Sequence, residues 1–135
     1  MQNLSGMFKS EQHESNYMMA YNNTLSLWPV KYDSIYINTE YGRTHILVSG
    51  PEDGSPVILL NGFGFSATMW YPNVKSLSTK FRVYAVDVIG EFNRSIVMKH
   101  FREKNDYVNW LTELLDQLGI EKAHFVGHSN GGWHV

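Results

Sequence analysis

Hydrophobic and polar residues follow two rhythms along this chain, and between them lie segments that are apolar throughout. Asp33-Ser34-Ile35-Tyr36-Ile37-Asn38 alternates with a period of two, the signature of a strand with one covered face. Glu40-Tyr41-Gly42-Arg43 reads as a turn, and Thr44 to Ser49 as the returning strand of a hairpin. Gly50-Pro51-Glu52-Asp53-Gly54-Ser55-Pro56 is a dense turn signal. Val57-Ile58-Leu59-Leu60 is then apolar without alternation, as suits a strand covered on both faces in a parallel sheet. Phe81 to Val86, ended by Asp87, is a second buried strand, and Ile120 to Val126 a third.

The other rhythm is helical. Tyr17, Met18 and Tyr21 predict a short amphipathic helix over Ser10 to Tyr21, with Asn22-Asn23-Thr24 as a connector. Met69 to Ser78 forms a helix if Trp70, Val74 and Leu77 face inward. Asp106 to Leu118 is the clearest helix: Val108, Leu111, Leu115 and Leu118 recur near 3.6 residues, Asn105 or Asp106 can cap it, and Gly119 stops it. A strand–helix–strand–helix–strand order after an opening hairpin predicts an α/β fold with a parallel core. Residues 1–29 read as a helical or extended arm, and residues 30–135 as the α/β domain.

Composition narrows the class. At 135 residues one domain is the default, and 43% hydrophobic with 18% charged residues predicts a globular chain. The net charge of −2, without a basic run, argues against nucleic acid as a partner. The absence of cysteine removes disulfides, thiolate metal sites and a thiol nucleophile, and fits a reducing compartment. No cluster of His, Asp and Glu has metal-ligand spacing, so neither metal nor cofactor is expected. The start, Met1 to Lys9, lacks a basic segment followed by an apolar core, and no stretch approaches the ~20 apolar residues of a membrane span. A cytoplasmic protein without a membrane partner is expected.

The chemistry is concentrated in Phe125-Val126-Gly127-His128-Ser129-Asn130-Gly131-Gly132. An apolar strand runs into G-x-S-x-G and then into a helix-compatible segment. This is the nucleophile elbow of a serine hydrolase. The serine stands on a sharp strand-to-helix turn, where side chains two residues before and after would collide; Gly127 and Gly131 occupy those positions. The N-terminus of the following helix presents free N–H groups, which places the N–H of Asn130 to bind an oxyanion.

Through these residues the chain resembles the N-terminal half of an α/β-hydrolase of the bacterial carboxylesterase type, from about residue 30 onward. Asn61-Gly62-Phe63-Gly64, followed by Trp70, is similar to the family's His-Gly-x-Gly segment. The resemblance implies that the N–H of Phe63 is the second oxyanion donor. Tyr84-Ala85-Val86-Asp87-Val88-Ile89-Gly90 resembles the family's fourth strand with its Asp-x-x-Gly turn. Two departures stand out. Asn61 replaces histidine, and the run from Asp87 to Ser95 lacks the family's second glycine and carries one extra residue.

The resemblance also implies that the triad acid and histidine follow the serine, in the order Ser…Asp/Glu…His. Only 135 − 129 = 6 residues follow Ser129. The chain is therefore expected to hold the first five strands and to lack triad partners. Among its histidines, His128 occupies the variable elbow position and is expected to point away from Ser129; His134 is expected within the elbow helix; His124 reads as a sheet histidine. His13, His45 and His100 are expected in solvent-facing or local roles. Asp87 is expected to bond loop backbone, and Trp70, Trp110 and Trp133 to belong to the core. Glu103, Lys104 and Asp106 read as a solvated helix start.

The reading that follows is a serine hydrolase acting on small carboxylic esters. Thioesterase, lactonase, peptidase and acyltransferase chemistry remain open. The 135-residue chain alone is expected to be inactive: a truncated form, or one half of a split or swapped hydrolase. A homodimer through the exposed edge of the last strand, or a missing C-terminal half, would cover that edge. A non-catalytic binding module ranks behind both, since Ser129 is intact.

Overall fold

A computed structural model describes residues 11–62, 65–91 and 93–128. Helix α1 spans Glu11–Leu25, followed by strands β1 (Tyr32–Thr39), β2 (Gly42–Ser49) and β3 (Ser55–Leu60). A 3-10 turn at Ala67–Trp70 leads directly into α2 (Tyr71–Leu77). Then come β4 (Phe81–Val86), the two-residue β5 (Ile96–Val97), α3 (Lys104–Leu118) and β6 (His124–Gly127).

The strands form one mixed sheet in the order β1-β2-β4-β3-β6, with β5 also pairing β2. β1, β2 and β4 pair antiparallel, whereas β3 runs parallel to both β4 and β6. The expected hairpin and parallel core are both present. Side chains of successive residues alternate across the sheet. Leu47, Leu59 and Ala85 face one side and pack with Tyr21 and Leu25 of α1 and with Trp70 and Val74 around α2. Ile46, Ile58 and Val86 face the other and pack with Trp110 and Leu114 of α3. The apolar runs in β3 and β4 are continuous because helices cover both faces.

Several boundaries differ from the sequence pattern for local reasons. Asn22 to Thr24, expected as a connector, continue α1, because Tyr21 and Leu25 are one turn apart and both buried. The helix expected over Met69 to Ser78 is instead a 3-10 turn plus α2. Ser66 caps the turn, accepting the Thr68 N–H, and Pro72 sits in the first turn of α2. Helix α3 begins two residues before Asp106. Its N-cap is Glu103, and Asp106 at the third position bonds back to the cap in a capping box. Val108, expected to face inward, is exposed, because α3 centres its buried face on Trp110 and Leu114. Two residues before Trp110 is about 200° around the helix, on the opposite face. β5 raises the described strands to six rather than five. Residues 120–123 precede β6 rather than belonging to it; the Ile120 N–H closes α3 by bonding Leu115 O at 2.9 Å, with Gly119 at φ 70°. No helix among the described residues is long and apolar enough to cross a membrane.

Candidate active site

Parallel pairing of β3 and β6 determines where the two motif segments meet. Leu60 pairs with Gly127, the last residues of their strands, and the His128 N–H reaches Leu60 O at 3.3 Å. The segment beginning at Asn61 and the segment beginning at His128 therefore leave neighbouring strands at one edge of the sheet. The ring of Phe65 meets that of His128 edge-on, with centroids 6.2 Å apart and planes at 88°. Gly127 is placed at the end of β6 as expected. Ser129, Asn130, Gly131 and Phe63 lie outside the described residues, as do His134 and Trp133.

Asn61 organises the first of these segments. Its side-chain N–H groups donate to Gly62 O at 3.1 Å and Phe65 O at 2.9 Å, and its Oδ1 accepts the Val88 N–H at 2.9 Å. The side chain is buried, so each of these bonds replaces one that water could otherwise make. An amide carries donor and acceptor together, which explains how Asn61 can stand where the resembled family has histidine.

Asp87 occupies the end of β4 and is fully buried. Its Oδ1 accepts the Ala67 N–H at 2.7 Å. Its Oδ2 accepts Tyr21 Oη–H at 2.8 Å, His45 Nδ1 at 2.8 Å and the Arg94 N–H at 3.2 Å. The carboxylate thus ties α1, β2, the 3-10 turn and the loop after β4 to one point, the backbone-bonding role expected of it. Burial, and then the Asp87 charge, push the Tyr21 phenol far above its ordinary value. Burial, with Asp87 and Glu91 adding, pushes Tyr17 up to about 12.

His45 is the residue whose importance the sequence pattern hid. It is fully buried, with Nδ1 on Asp87 and Nε2 on the Ser34 hydroxyl. The order Ser34–His45–Asp87 is that of a hydrolase triad, yet Ser34 and His45 sit on β1 and β2, toward the opposite edge of the sheet from β6, and Asp87 follows β4. β2 lies three strands from β6, about 14 Å at ordinary strand spacing, so His45 cannot serve as base for a serine following β6. Its place in β2, between Thr44 and the apolar run Ile46 to Val48, gave no signal of a polar network.

The loop after β4 also differs from the resembled family and closes by its own means. Gly90 has φ 91°. Asn93 Nδ2 donates to Val88 O at 2.8 Å, its Oδ1 accepts the Ser95 N–H at 2.9 Å, and Ser95 Oγ–H donates to Asp87 O at 2.7 Å. Side-chain bonds from Asn93 and Ser95 hold the turn that the family's second glycine would otherwise shape. His124, expected as a sheet histidine, lies on exposed β6 and meets the Phe81 ring edge-on at 5.9 Å. Trp70 and Trp110 are core residues, as expected. No group of three His, Cys, Asp or Glu residues suited to a metal ion occurs among the described residues.

The sheet order and the helices on both faces are those of the α/β-hydrolase fold. The chain belongs to the alpha/beta hydrolase fold family, whose model matches residues 55–135. It is 52% identical over 119 residues to the uncharacterized carboxylesterase nap of Bacillus subtilis, covering 88% of this chain and 40% of that protein. It is 42% identical over 131 residues to carboxylesterase YbfK of Bacillus subtilis, covering 97% of this chain and 44% of that protein. The crystal structure of naproxen esterase (carboxylesterase NP) from Bacillus subtilis superposes with a TM-score of 0.89 at 50% identity, covering 94% of this chain and 44% of that one. The chain therefore spans about two-fifths of the length of these relatives.

Proposed function

We propose that this chain supplies the nucleophile and oxyanion-binding half of a serine carboxylesterase. The observation that carries the reading is the pairing of Leu60 with Gly127, which starts the Asn61–Gly64 and His128–Gly131 segments side by side. Ser129 attacks the ester carbonyl carbon. The N–H groups of Phe63 and Asn130 receive the negative charge that develops on the carbonyl oxygen. Gly127 and Gly131 give the turn its room. A histidine from outside residues 1–135 takes the serine proton and returns it to the leaving alcohol, oriented by an acidic residue that stays ionised; water then attacks the acyl-serine by the same route and releases the carboxylic acid product. Similarity to the Bacillus carboxylesterases supports esters as the substrate class.

The outer side of β6 pairs with no strand among the described residues, which favours a further segment or a second copy continuing the sheet there. The test is a fluorophosphonate serine probe followed by intact mass, run on residues 1–135 and on a form extended to the length of the relatives. Adduct on the extended form that disappears in Ser129→Ala supports the reading. Labelling that survives Ser129→Ala overturns it.

A further inference from the structure

The buried network around Asp87 ends at an exposed hydroxyl. Asp87 and His45 are fully buried, whereas Ser34, bonded to His45 Nε2, is exposed on β1. We infer that Ser34 is a second nucleophile of this protein, separate from the elbow, which takes up the acyl group of a small activated ester. The inference needs no residue after β6 and stands whether or not Ser129 reacts.

Hydrogen-bond direction is the first argument. The Asp87 carboxylate receives Tyr21 Oη–H, the Ala67 N–H and the Arg94 N–H, so it acts as an acceptor toward each of them. His45 Nδ1, 2.8 Å from Oδ2, therefore carries the ring hydrogen and donates it to Asp87. In the neutral ring the lone pair is left on Nε2, facing the Ser34 hydroxyl. Acyl transfer to serine requires this relation of acid, base and nucleophile. Ser26 makes the contrast: it is also exposed, but its hydroxyl donates to Asn23 O, which is no base.

Backbone direction is the second argument. His45 turns both its backbone groups toward β4. Its N–H donates to Ser95 Oγ at 2.9 Å, and its C=O accepts the Asp87 N–H at 2.9 Å. On the other side, His45 and Tyr36 therefore face each other without exchanging backbone bonds, as do Leu47 and Ser34 two residues along. The N–H of Ser34 consequently points away from β2, along the outer edge of β1, the strand that ends the sheet order. An ester seated at that rim, its carbonyl carbon at Ser34 Oγ, can turn its oxygen toward this N–H as negative charge develops. Tyr32 and Tyr36 share the face with Ser34, two residues to either side, and are both exposed. Their rings flank the place of the acyl group.

In the step itself, Ser34 Oγ bonds the carbonyl carbon as its proton passes to His45 Nε2. The bond from that carbon to the leaving oxygen breaks, and Nε2 returns the proton to the leaving oxygen. One acyl-serine and one alcohol result. A single N–H serves the oxyanion where an elbow offers two. Ser34 is therefore expected to react about 10²–10³-fold more slowly than an elbow serine, and to escape a brief exposure to a fluorophosphonate.

The test uses the protein at the length of its relatives, with Ser129→Ala to remove the elbow nucleophile. It is incubated for hours with 4-nitrophenyl acetate, and acetyl groups are placed by peptide mass spectrometry. Treatment with hydroxylamine separates serine esters, which it cleaves, from lysine amides. Acetylation of Ser34 is expected to be at least about 10²-fold faster than that of Ser26 or Ser76, both exposed. His45→Gln, checked for cooperative melting, is expected to bring Ser34 down to the rate of those two. Equal rates at the three serines, or a Ser34 rate unchanged in His45→Gln, overturn the proposal. A second measurement needs no variant at His45. A ¹⁵N–¹H spectrum of the folded protein is expected to show the His45 ring hydrogen on Nδ1 alone. A hydrogen on Nε2 would leave Ser34 without a base and overturn the proposal.

Discussion

The side-chain oxygen of Asn61 accepts the backbone N–H of Val88 at 2.9 Å, so a single amide joins the loop leaving β3 to the turn leaving β4. Its nitrogen holds Gly62 O and Phe65 O at the same time. In Asn61→Ala these partners lose their bonds in a buried place, which costs about 1–3 kcal/mol of stability. In the form extended to the length of the relatives, the oxyanion role proposed for the Phe63 N–H predicts that ester turnover loses kcat more than it changes KM. Asn61→Asp keeps the acceptor toward Val88 but faces two carbonyl oxygens with a carboxylate. It is expected to be worse than Asn61→Gln. Steady-state kinetics of the three variants, with melting curves as control, check this.

Asp87 is the heavier of the two ties. Four donors from four separate segments converge on it. Removing one member of a buried charged cluster leaves the others unpaired, and Asp87→Ala is expected to destabilise the protein by about 3–5 kcal/mol. Denaturant unfolding with matched m-values measures it. A loss under about 1 kcal/mol would mean that Tyr21, His45 and the Ala67 N–H find other partners.

These two residues also mark what the sequence made legible. The strands β3 and β4 announce themselves because four or more consecutive apolar residues have no other stable place than a sheet covered twice. The segments after β3 and β6 stand out in the sequence by their glycine spacing, and the pairing of Leu60 with Gly127 starts them from neighbouring strands. The network around Asp87 is not readable, since Tyr21, His45 and Ala67 are brought together only by tertiary packing, 66, 42 and 20 residues away. His45 sits among apolar residues of β2 facing the same side as Leu47, and only the buried carboxylate opposite makes its position sensible. Val108 shows the converse error. A 3.6-residue spacing identified the helix, and Leu111, Leu115 and Leu118 pack on the core as expected, but the spacing could not say that Trp110 and Leu114 would centre the buried face and leave Val108 exposed.

Alkaline pH should loosen α1. A phenol whose native pKa lies above its unfolded value contributes stability that is complete below the unfolded pKa, about 10, and is lost as pH rises above it. Tyr21 is raised by burial and by Asp87, and Tyr17 to about 12 by burial, Asp87 and Glu91. Stability of the parent is expected to fall between about pH 9.5 and 11.5. Tyr21→Phe is expected to start lower, having lost its bond to Asp87, but to fall less steeply over the same range. Equal slopes for parent and variant would assign the alkaline loss to other groups.

At the acid end the sensitive group is Asp106. Its carboxyl is held below the ordinary aspartate value by the N–H groups of Arg102 and Glu103, against some opposing desolvation. A depressed native pKa gives stability that is present above the unfolded value, about 3.9, and is lost as pH falls through the native one. Asp106→Asn is expected to melt at a lower temperature at neutral pH and to converge with the parent as the pH drops below about 3. Melting temperatures of the pair across that range decide it.

Two glycines with positive φ separate backbone strain from crowding. Gly42 has φ 138°, and a Cβ there would stand 2.0 Å from Ile96 O, inside the contact that seats β5 on β2. Gly119 has φ 70°, with nothing within 4 Å of where a Cβ would lie. Alanine at Gly119 meets only the left-handed backbone penalty, about 1–2 kcal/mol. Alanine at Gly42 meets that strain plus a clash with backbone that cannot move without unpairing Gly42 from Val97. Gly42→Ala is therefore expected to cost at least about 3 kcal/mol, a value outside the usual range for a single methyl group. Unfolding curves for the two variants side by side test the contrast. Equal losses would show that the β2–β5 pairing yields at little cost, and that Gly42 is kept for its φ alone.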